Sequence, residues 1–442
     1  MLSSFGSIVA LLLGTAFLLA GSGLFGLLLP LRGGLEGFST ASLGLLGTAW
    51  AAGFIAGCVI GPRLVRRIGH VRAFGAFAST GAIATLISGM WIEESVWFVL
   101  RFFTGFTMAG AYMVIESWLN ERSTNETRGT IFGLYMMVTH AAITGGQMVV
   151  VLGDVSTPFL FMVTGILFIL ALLPITISTA VTPAPLATVD LDLKGLYVNS
   201  PVAFVGCFLT GLANGAWGTL GAVYGAEIGI STLEIAAMMR VALLAGAIAQ
   251  MPAGRLSDIT DRRFVMAGIA GGAALIGLAV FFMAPRTGPV VIIMTGLYGL
   301  LAYTLYSIAV AHANDHASST DFVKVSSGLL LLYGAGTMAG PILAGFAMQG
   351  PRPESLFLVT AGAHLGLAVY AAVRISRRSA VPVEEREAFT VLPAERAVTP
   401  QSVMLDPRAD SDEGGGMDVQ EEEASGEDDS RSDEKVRETA AT

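Results

Sequence analysis

Charge is scarce in this chain. Asp, Glu, Lys and Arg make up 13% of its 442 residues, against 53% that are apolar. A soluble domain carries about 25% charged residues, so an ordinary water-faced globule is excluded. Cysteine is scarcer still. Cys58 and Cys207 sit far apart in apolar runs, which excludes a disulfide framework or a cysteine metal cluster. No G-x-x-x-x-G-K-[ST] loop is present, so ATP-driven work by this chain is not indicated. No cofactor and no nucleic-acid partner is implied.

What the chain has instead is long oily runs. A helix needs about 20 apolar residues to cross a hydrocarbon core. That ruler fits twelve times: 7–30, 41–61, 71–92, 96–118, 129–152, 158–181, 201–225, 234–253, 264–284, 289–311, 325–348 and 355–375. The runs are continuously apolar rather than alternating, which argues against transmembrane strands. The opening stretch lacks a basic n-region and is too long for a signal-peptide core, so it reads as a retained span. An all-α membrane protein bathed in membrane lipid is expected.

The net charge of −9 conceals two populations. Residues 379–442 hold 18 acids and six bases, while the other 378 residues hold 16 acids and 19 bases. The acidic tail is rich in Glu, Asp, Ser and Gly and cannot bury enough apolar area to offset chain entropy; it is expected to be disordered. With the N-terminus inside, 14 of the 19 bases face the cytoplasm, and three, Arg32, Arg286 and Arg352, face out. That bias places both termini in the cytoplasm.

The longest polar break, 182–200, follows the sixth span. It divides the chain into 1–181, a cytoplasmic linker, 201–378 and the tail. "GPRLVRRIGH" starts at Gly61 between spans two and three; "GRLSDITDRR" starts at Gly254, 193 residues later, between spans eight and nine. A repeated basic turn marks two pseudo-symmetric six-helix halves.

These turns resemble the signature of major facilitator superfamily transporters, roughly G-x-L-x-D-R-x-G-R-R. The first keeps Gly61, Leu64, Arg66 and Gly69, with Val65 where the family places aspartate. The second keeps Gly254, Leu256, Asp258, Arg262 and Arg263, with Ile259 and Asp261 in place of Arg and Gly. "RFFTG", from Arg101 to Gly105, resembles the family's span-four motif. "RFFTGFTMAGAYMVIES", "TRGTIFGLYMMV" and "GGQMVV" are similar to the YcaD-like group of bacterial carriers. The resemblance covers about residues 1–378. It implies the major facilitator fold and a monomeric bacterial inner-membrane protein, not an enzyme. It also implies transport of a small polar or anionic solute by alternating access, with protons as the expected driving force. A transporter-shaped sensor or scaffold signalling through the tail remains the alternative.

Gly53, Gly57 and Gly61 form a bare face that lets backbones approach closely, as do Gly336, Gly340 and Pro341. In the family fold these faces are expected at the seam where spans two and eleven meet. Gly61, Arg66, Arg67 and Gly69, with Gly254, Asp258 and Arg262, are the expected gating residues; static packing and ordinary positive-inside anchoring compete with that role.

Ionisable groups inside spans are costly and normally face protein or water. Arg101 and Glu116 lie 15 residues apart on span four, about 60° and 22 Å apart on the helix, with Gly105, Met108 and Tyr112 between them. Arg101 suits an anion or backbone carbonyls; Glu116 suits proton coupling or pairing with nearby arginines. His140, near mid-membrane with Gln147 on the same side, suits proton coupling or a neutral core bond. Arg240 has no acid on its own span and wants an anion or an interhelical partner. The family resemblance implies Asn214, Trp217, Tyr303 and Tyr306 beside it in the substrate site. His364 reads as packing. His312 and His316 in "HANDH" superficially suggest a metal but lack the H-E-x-x-H glutamate, and no metal site is expected.

Overall fold

The computed structural model describes residues 2–124, 127–177, 192–317 and 322–377, together with 381, 382, 386, 389 and 399–401. Twelve helices among the described residues are long and apolar enough to cross a membrane. They are α1 (Ile8–Leu35), α2 (Thr40–Ile68), α3 (His70–Met90), α4 (Glu94–Glu121), α5 (Arg128–Leu152) and α6 (Phe159–Ile177). The second set is α7 (Pro201–Glu227), α8 (Thr232–Ile259), α9 (Arg262–Met283), α10 (Gly288–Asn314), α11 (Lys324–Met348) and α12 (Ser355–Ile375). Each coincides with an expected span. Several run past the apolar ruler: α2 carries Arg63, Arg66 and Arg67 on helix rather than on a turn. Cations in a last helical turn are favoured by the unpaired carbonyls there. These arginines mark one end of the molecule, its basic end.

The helices pair in the same pattern twice. In the first half α1 packs on α5, α2 on α4 and α3 on α6; in the second, α7 packs on α11, α8 on α10 and α9 on α12. Local chemistry repeats as well. α1 ends at Gly37 and α7 at Gly229, both with φ +82°, a left-handed conformation that glycine adopts without a Cβ penalty. Two residues on, Ser39 caps α2 by accepting from Ser42 N at 3.0 Å. Ser231 caps α8 in a reciprocal box with Glu234. Both copies close with the same bonds, Phe38 N to Gly33 O and Ile230 N to Gly225 O.

The bare glycine faces do not meet where the sequence places them. A Cβ on Gly53 would drive into the carbonyl oxygen of Phe102, and one on Gly57 would lie 2.6 Å from that of Phe106. The Gly53–Gly57–Gly61 face therefore packs on α4 inside its own bundle, not on α11. Gly336 and Gly340 likewise pack on the α7 backbone. The physical reason is that small residues let helices of one bundle close on each other. The repeat offset of 193 carries Gly53 to Gly246, whose Cβ would lie 2.9 Å from Gly299 O of α10. The seam between bundles uses other contacts. Thr40 Oγ1 donates to Gly345 O at 3.0 Å and Thr48 Oγ1 to Met338 O at 2.8 Å, and Gly44 sits against Pro341 O. These α2–α11 ties lie in the half away from the basic end. Further on, Ile55 reaches Gly334, after which Val59 and Ile60 are exposed.

Residues 178–191, most of the expected linker, lie outside the described residues, as do 402–442 and most of 378–398. The linker's end forms a short helix, Leu193–Asn199, capped by Asp192. The expectation of a disordered tail falls mainly on the part that is not described. Of the rest, Arg386 donates to the carbonyls of Asp258 and Thr260 at the end of α8, and Phe389 lies on Gly254. Thr399, fully buried, bonds Glu116 of α4. The described tail residues thus touch both bundles.

Candidate functional site

A cavity of about 230 Å³ lies between the bundles. Its depth follows from the helices that line it. α1 contributes Ser22 to Pro30, α2 contributes Leu43 to Ala51, and α7 contributes Asn214 to Ala222, all central or toward the end opposite the arginines. From α4 come Arg101, Thr104, Met108 and Tyr112, spaced three or four residues apart as one helix face requires. Gly105, which precedes Met108 on the same helix, is instead pressed against the Trp50 carbonyl.

Arg101 is the one charged side chain in the described wall. It is half-buried, and its Nε is shielded with no hydrogen-bond partner among the described residues. Its guanidinium carbon lies 5.5 Å from the Phe25 ring centroid and 6.0 Å from that of Trp50. The negative faces of the rings partly replace the water a guanidinium gives up.

The opposite wall is built on hydroxyls and amides. Asn214 Nδ2 donates to Tyr333 OH at 3.2 Å, and Tyr333 packs on Tyr306 with centroids 4.7 Å apart and ring planes at 53°. Tyr303 lines the cavity where α10 is interrupted: helix runs from Gly288 to Ala302 and resumes at Leu305. Gln147 lines it from α5, its Oε1 shielded and without a partner among the described residues.

Of the expected substrate residues, Arg101, Asn214 and Tyr303 line the cavity; Arg240, Trp217 and Tyr306 stand behind it. On α8 the cavity-facing residue is Met239. One residue on, about 100° round the helix, Arg240 turns to α5 and meets the Met148 sulfur. It bridges the bundles beside the cavity. Trp217 is fully buried between Tyr298 and Phe357 in the second bundle's core. Tyr306 is buried behind Tyr333.

The coupling candidates also lie outside the wall. Glu116 is fully buried on α4 and accepts from Tyr135 OH at 2.8 Å. His140 Nδ1 is 2.7 Å from Met136 O, one turn back on α5. His364, fully buried, pairs Nε2 with Tyr298 OH at 3.2 Å, as packing requires.

At the basic end, Gly69 turns the chain between α2 and α3 with φ +83°, and Gly61 is covered by Met113 of α4. Arg66 and Arg67 are exposed on α2. The second copy is tied more tightly. Arg262 donates to both Asp315 oxygens, at 2.7 and 3.2 Å, and pairs with Asp258 at 3.0 Å. "HANDH" is thus the acid end of an ion pair between α9 and α10, and His312 and His316 pack ring to ring at 4.8 Å. Beside them Asp261 caps α9 and accepts from Arg263 N at 3.0 Å. Burial works against its charge, but the Arg263 hydrogen bonds and nearby positive charge prevail and hold the carboxyl below its usual range. Among the described residues no group of three metal-ligating side chains converges.

Sequence reasoning missed Phe25, Trp50, Tyr333 and Thr337. Tyr333 and Thr337 carry a signal, polar groups four apart on one face of an apolar span. Phe25 and Trp50 carry none, since aromatics in spans are common.

A sequence profile of the Major Facilitator Superfamily matches residues 11–332 and again 202–409. An uncharacterized MFS-type transporter of Yersinia pestis (strain Pestoides F) is 28% identical over 346 residues, 76% of this chain and 87% of that protein. The uncharacterized MFS-type transporter YcaD of Shigella flexneri serotype 5b is 28% identical over 373 residues, 80% of this chain and 92% of its own. Among solved structures, a mutant of the nucleoside transporter NupG superposes with TM-score 0.71 at 14% identity, covering 84% of this chain and all of that one. A bacterial homolog of the human lysosomal transporter Spinster, inward-facing and occupied, gives 0.68 at 16% identity, covering 86% and 97%.

Proposed function

Because this chain belongs to the Major Facilitator Superfamily, a family of membrane transporters, we propose that it carries a small polar or anionic solute across the bacterial inner membrane by alternating access, coupled to protons. The observation that supports this most directly is the cavity walled by both bundles, with the bundles tied together on the side away from the arginines. Arg101, Asn214 and Tyr303 are the solute contacts in this reading. With the basic end in the cytoplasm, the Thr40 and Thr48 bonds are the outer closure of a cytoplasm-facing state. Breaking them while the basic end closes presents the site outward. Gly61, Arg66, Arg67 and Gly69, with Gly254, Asp258 and Arg262, are the gating residues. Glu116, with its Tyr135 bond, is the proton carrier, and His140 a second titrating group. Each charge moved across the field is worth about 2.3 kcal/mol per 100 mV.

The test is flux into proteoliposomes with a pH dye inside, over a panel of carboxylates, sugars and nucleosides. Nucleosides belong there because NupG is a nucleoside transporter. A panel solute should enter together with protons. Glu116→Gln should keep solute exchange and lose proton-driven accumulation. No flux with any class would reject the carrier.

One observation favours a second reading, a sensor with the tail as its output: Thr399 touches α4 while Arg386 touches α8. Removing residues 379–442 separates the two. A carrier keeps its flux, and a tail-based signaller falls silent.

A further inference from the structure

The cavity holds one charge and no counter-charge. Its described lining contains Arg101 and neither Asp, Glu, Lys nor His. Arg240 turns away to Met148, and the basic-end arginines Arg262 and Arg263 are already paired with Asp315, Asp258 and Asp261. A guanidinium at membrane depth is costly unless a partner meets it, and the Phe25 and Trp50 rings, 5.5 and 6.0 Å from its carbon, offer no oxygen to its donors. Arginine's fork of N–H groups matches a carboxylate in two parallel bonds. We propose that the cavity is a binding site for a small aromatic monocarboxylate, its carboxylate on Arg101 and its ring against the aromatic wall of Trp50, Tyr303 and Tyr333. This deepens the carrier reading and takes its biological sense from it.

Other ligand classes fit less well. A cation meets Arg101 and no acid. A neutral solute leaves the guanidinium donors unmet, which costs most where water is excluded. A phosphate ester brings about −1.5 to −2 charges to a wall with a single cation, leaving charge buried and unpaired. Size is no obstacle: a cavity of about 230 Å³ admits a single ring and its acid group. Gln147, Thr104 and Thr337 in the wall offer bonds to a ring substituent.

The experiment is binding to the purified full-length protein, read by tryptophan fluorescence and calorimetry with benzoate, benzyl alcohol, acetate and phenyl phosphate. Benzoate should bind saturably. Benzyl alcohol, which lacks the charge, and acetate, which lacks the ring, should each bind about tenfold more weakly or worse, and phenyl phosphate no more tightly than benzoate. Arg101→Lys should weaken benzoate, and Arg101→Gln should make benzoate and benzyl alcohol alike. Should Arg101→Gln not fold, the wild-type ranking of the four probes decides, and Trp50→Phe shows that the fluorescence change arises in the cavity. Benzyl alcohol or acetate equal to benzoate on the wild type overturns the assignment, as does benzoate binding that survives Arg101→Gln. Benzoate binding with no flux in liposomes rejects the carrier reading and leaves the pocket assignment standing. Flux of another solute with no preference for benzoate rejects the pocket assignment alone.

Discussion

Thr48 on α2 donates its hydroxyl hydrogen to the carbonyl of Met338 on α11 at 2.8 Å, joining residues 290 positions apart in opposite bundles. With Thr40 on Gly345 O, it makes a two-point tie on one side of the cavity. A net hydrogen bond contributes about 1 kcal/mol, small enough to be broken in a working cycle. Thr48→Val should therefore shift the population toward the opposite opening about fivefold, read as faster labelling of a cysteine beside Arg101 by an impermeant reagent applied on the side away from the basic end. The complement is a clamp: cysteines at positions 48 and 338, bridged by a short bifunctional thiol reagent that contains a disulfide, should stop flux, and reduction should release it. Flux that persists in the cross-linked protein would show that this tie never opens.

Close backbone contact inside each bundle makes a sharper mutational contrast. Gly53→Ala and Gly299→Ala push a methyl into the carbonyl oxygens of Phe102 and Ala242, whereas Gly26 and Gly133 have nothing within 4 Å. Overpacking costs about 1–3 kcal/mol. The first pair should lower the melting temperature and the yield of folded protein, and Gly26→Ala and Gly133→Ala should leave both unchanged.

The Arg262–Asp315 pair is buried, with side chains 1% and 2% exposed. Removing one partner of such a pair costs about 3–5 kcal/mol, and here Asp258 still holds Arg262 at 3.0 Å. Asp315→Asn should therefore destabilise toward the lower end of that range, and Asp258→Asn with Asp315→Asn by more. Chelator should change the melting point of none of them. A fall on chelation would return "HANDH" to the metal reading.

Asp261 should give the basic end an acid sensitivity. Its carboxyl is held below its usual range in the folded protein, so the stability it adds is full above the ordinary aspartate value of about 3.9 and fades as the pH falls through its folded value. Asp261→Asn should melt lower than wild type at pH 7, and the gap should close in acid. A gap that does not vary with pH would assign the effect to the α9 cap alone.

Much of the fold was legible because lipid enforces it: a backbone with no water around it must satisfy itself, so long apolar runs have few options. The repeat was legible at Gly61 and Gly254, where charge and glycine stand out. The better copy was overlooked. Gly37–Ser39 and Gly229–Ser231 repeat a turn and a cap whose geometry matches, but Gly and Ser are common enough to pass unnoticed. The partner of a glycine face was not legible, since spacing tells that a helix will close on something but not on what; hence α4 rather than α11. For the same reason Arg101 and Arg240 read alike as charges in spans. What separates them is the face each takes on its own helix: Arg101 lies on the cavity face of α4, and Arg240 lies about 100° round α8 from the cavity-facing Met239 and meets Met148.

The interruption of α10 at Tyr303 and Thr304 joins the pocket to the far turn. Thr304 answers the irregular backbone by donating its hydroxyl hydrogen to Leu301 O at 2.7 Å, and a locally tightened turn within a helix is a natural pivot. Beyond it, ten residues from Leu305 to Asn314 form a rigid arm that ends beside Asp315 and its grip on Arg262. In the carrier reading, a solute resting on Tyr303 would lean on the fulcrum of a lever whose other end is the Arg262–Asp315 pair, so loading at one depth would be felt at another.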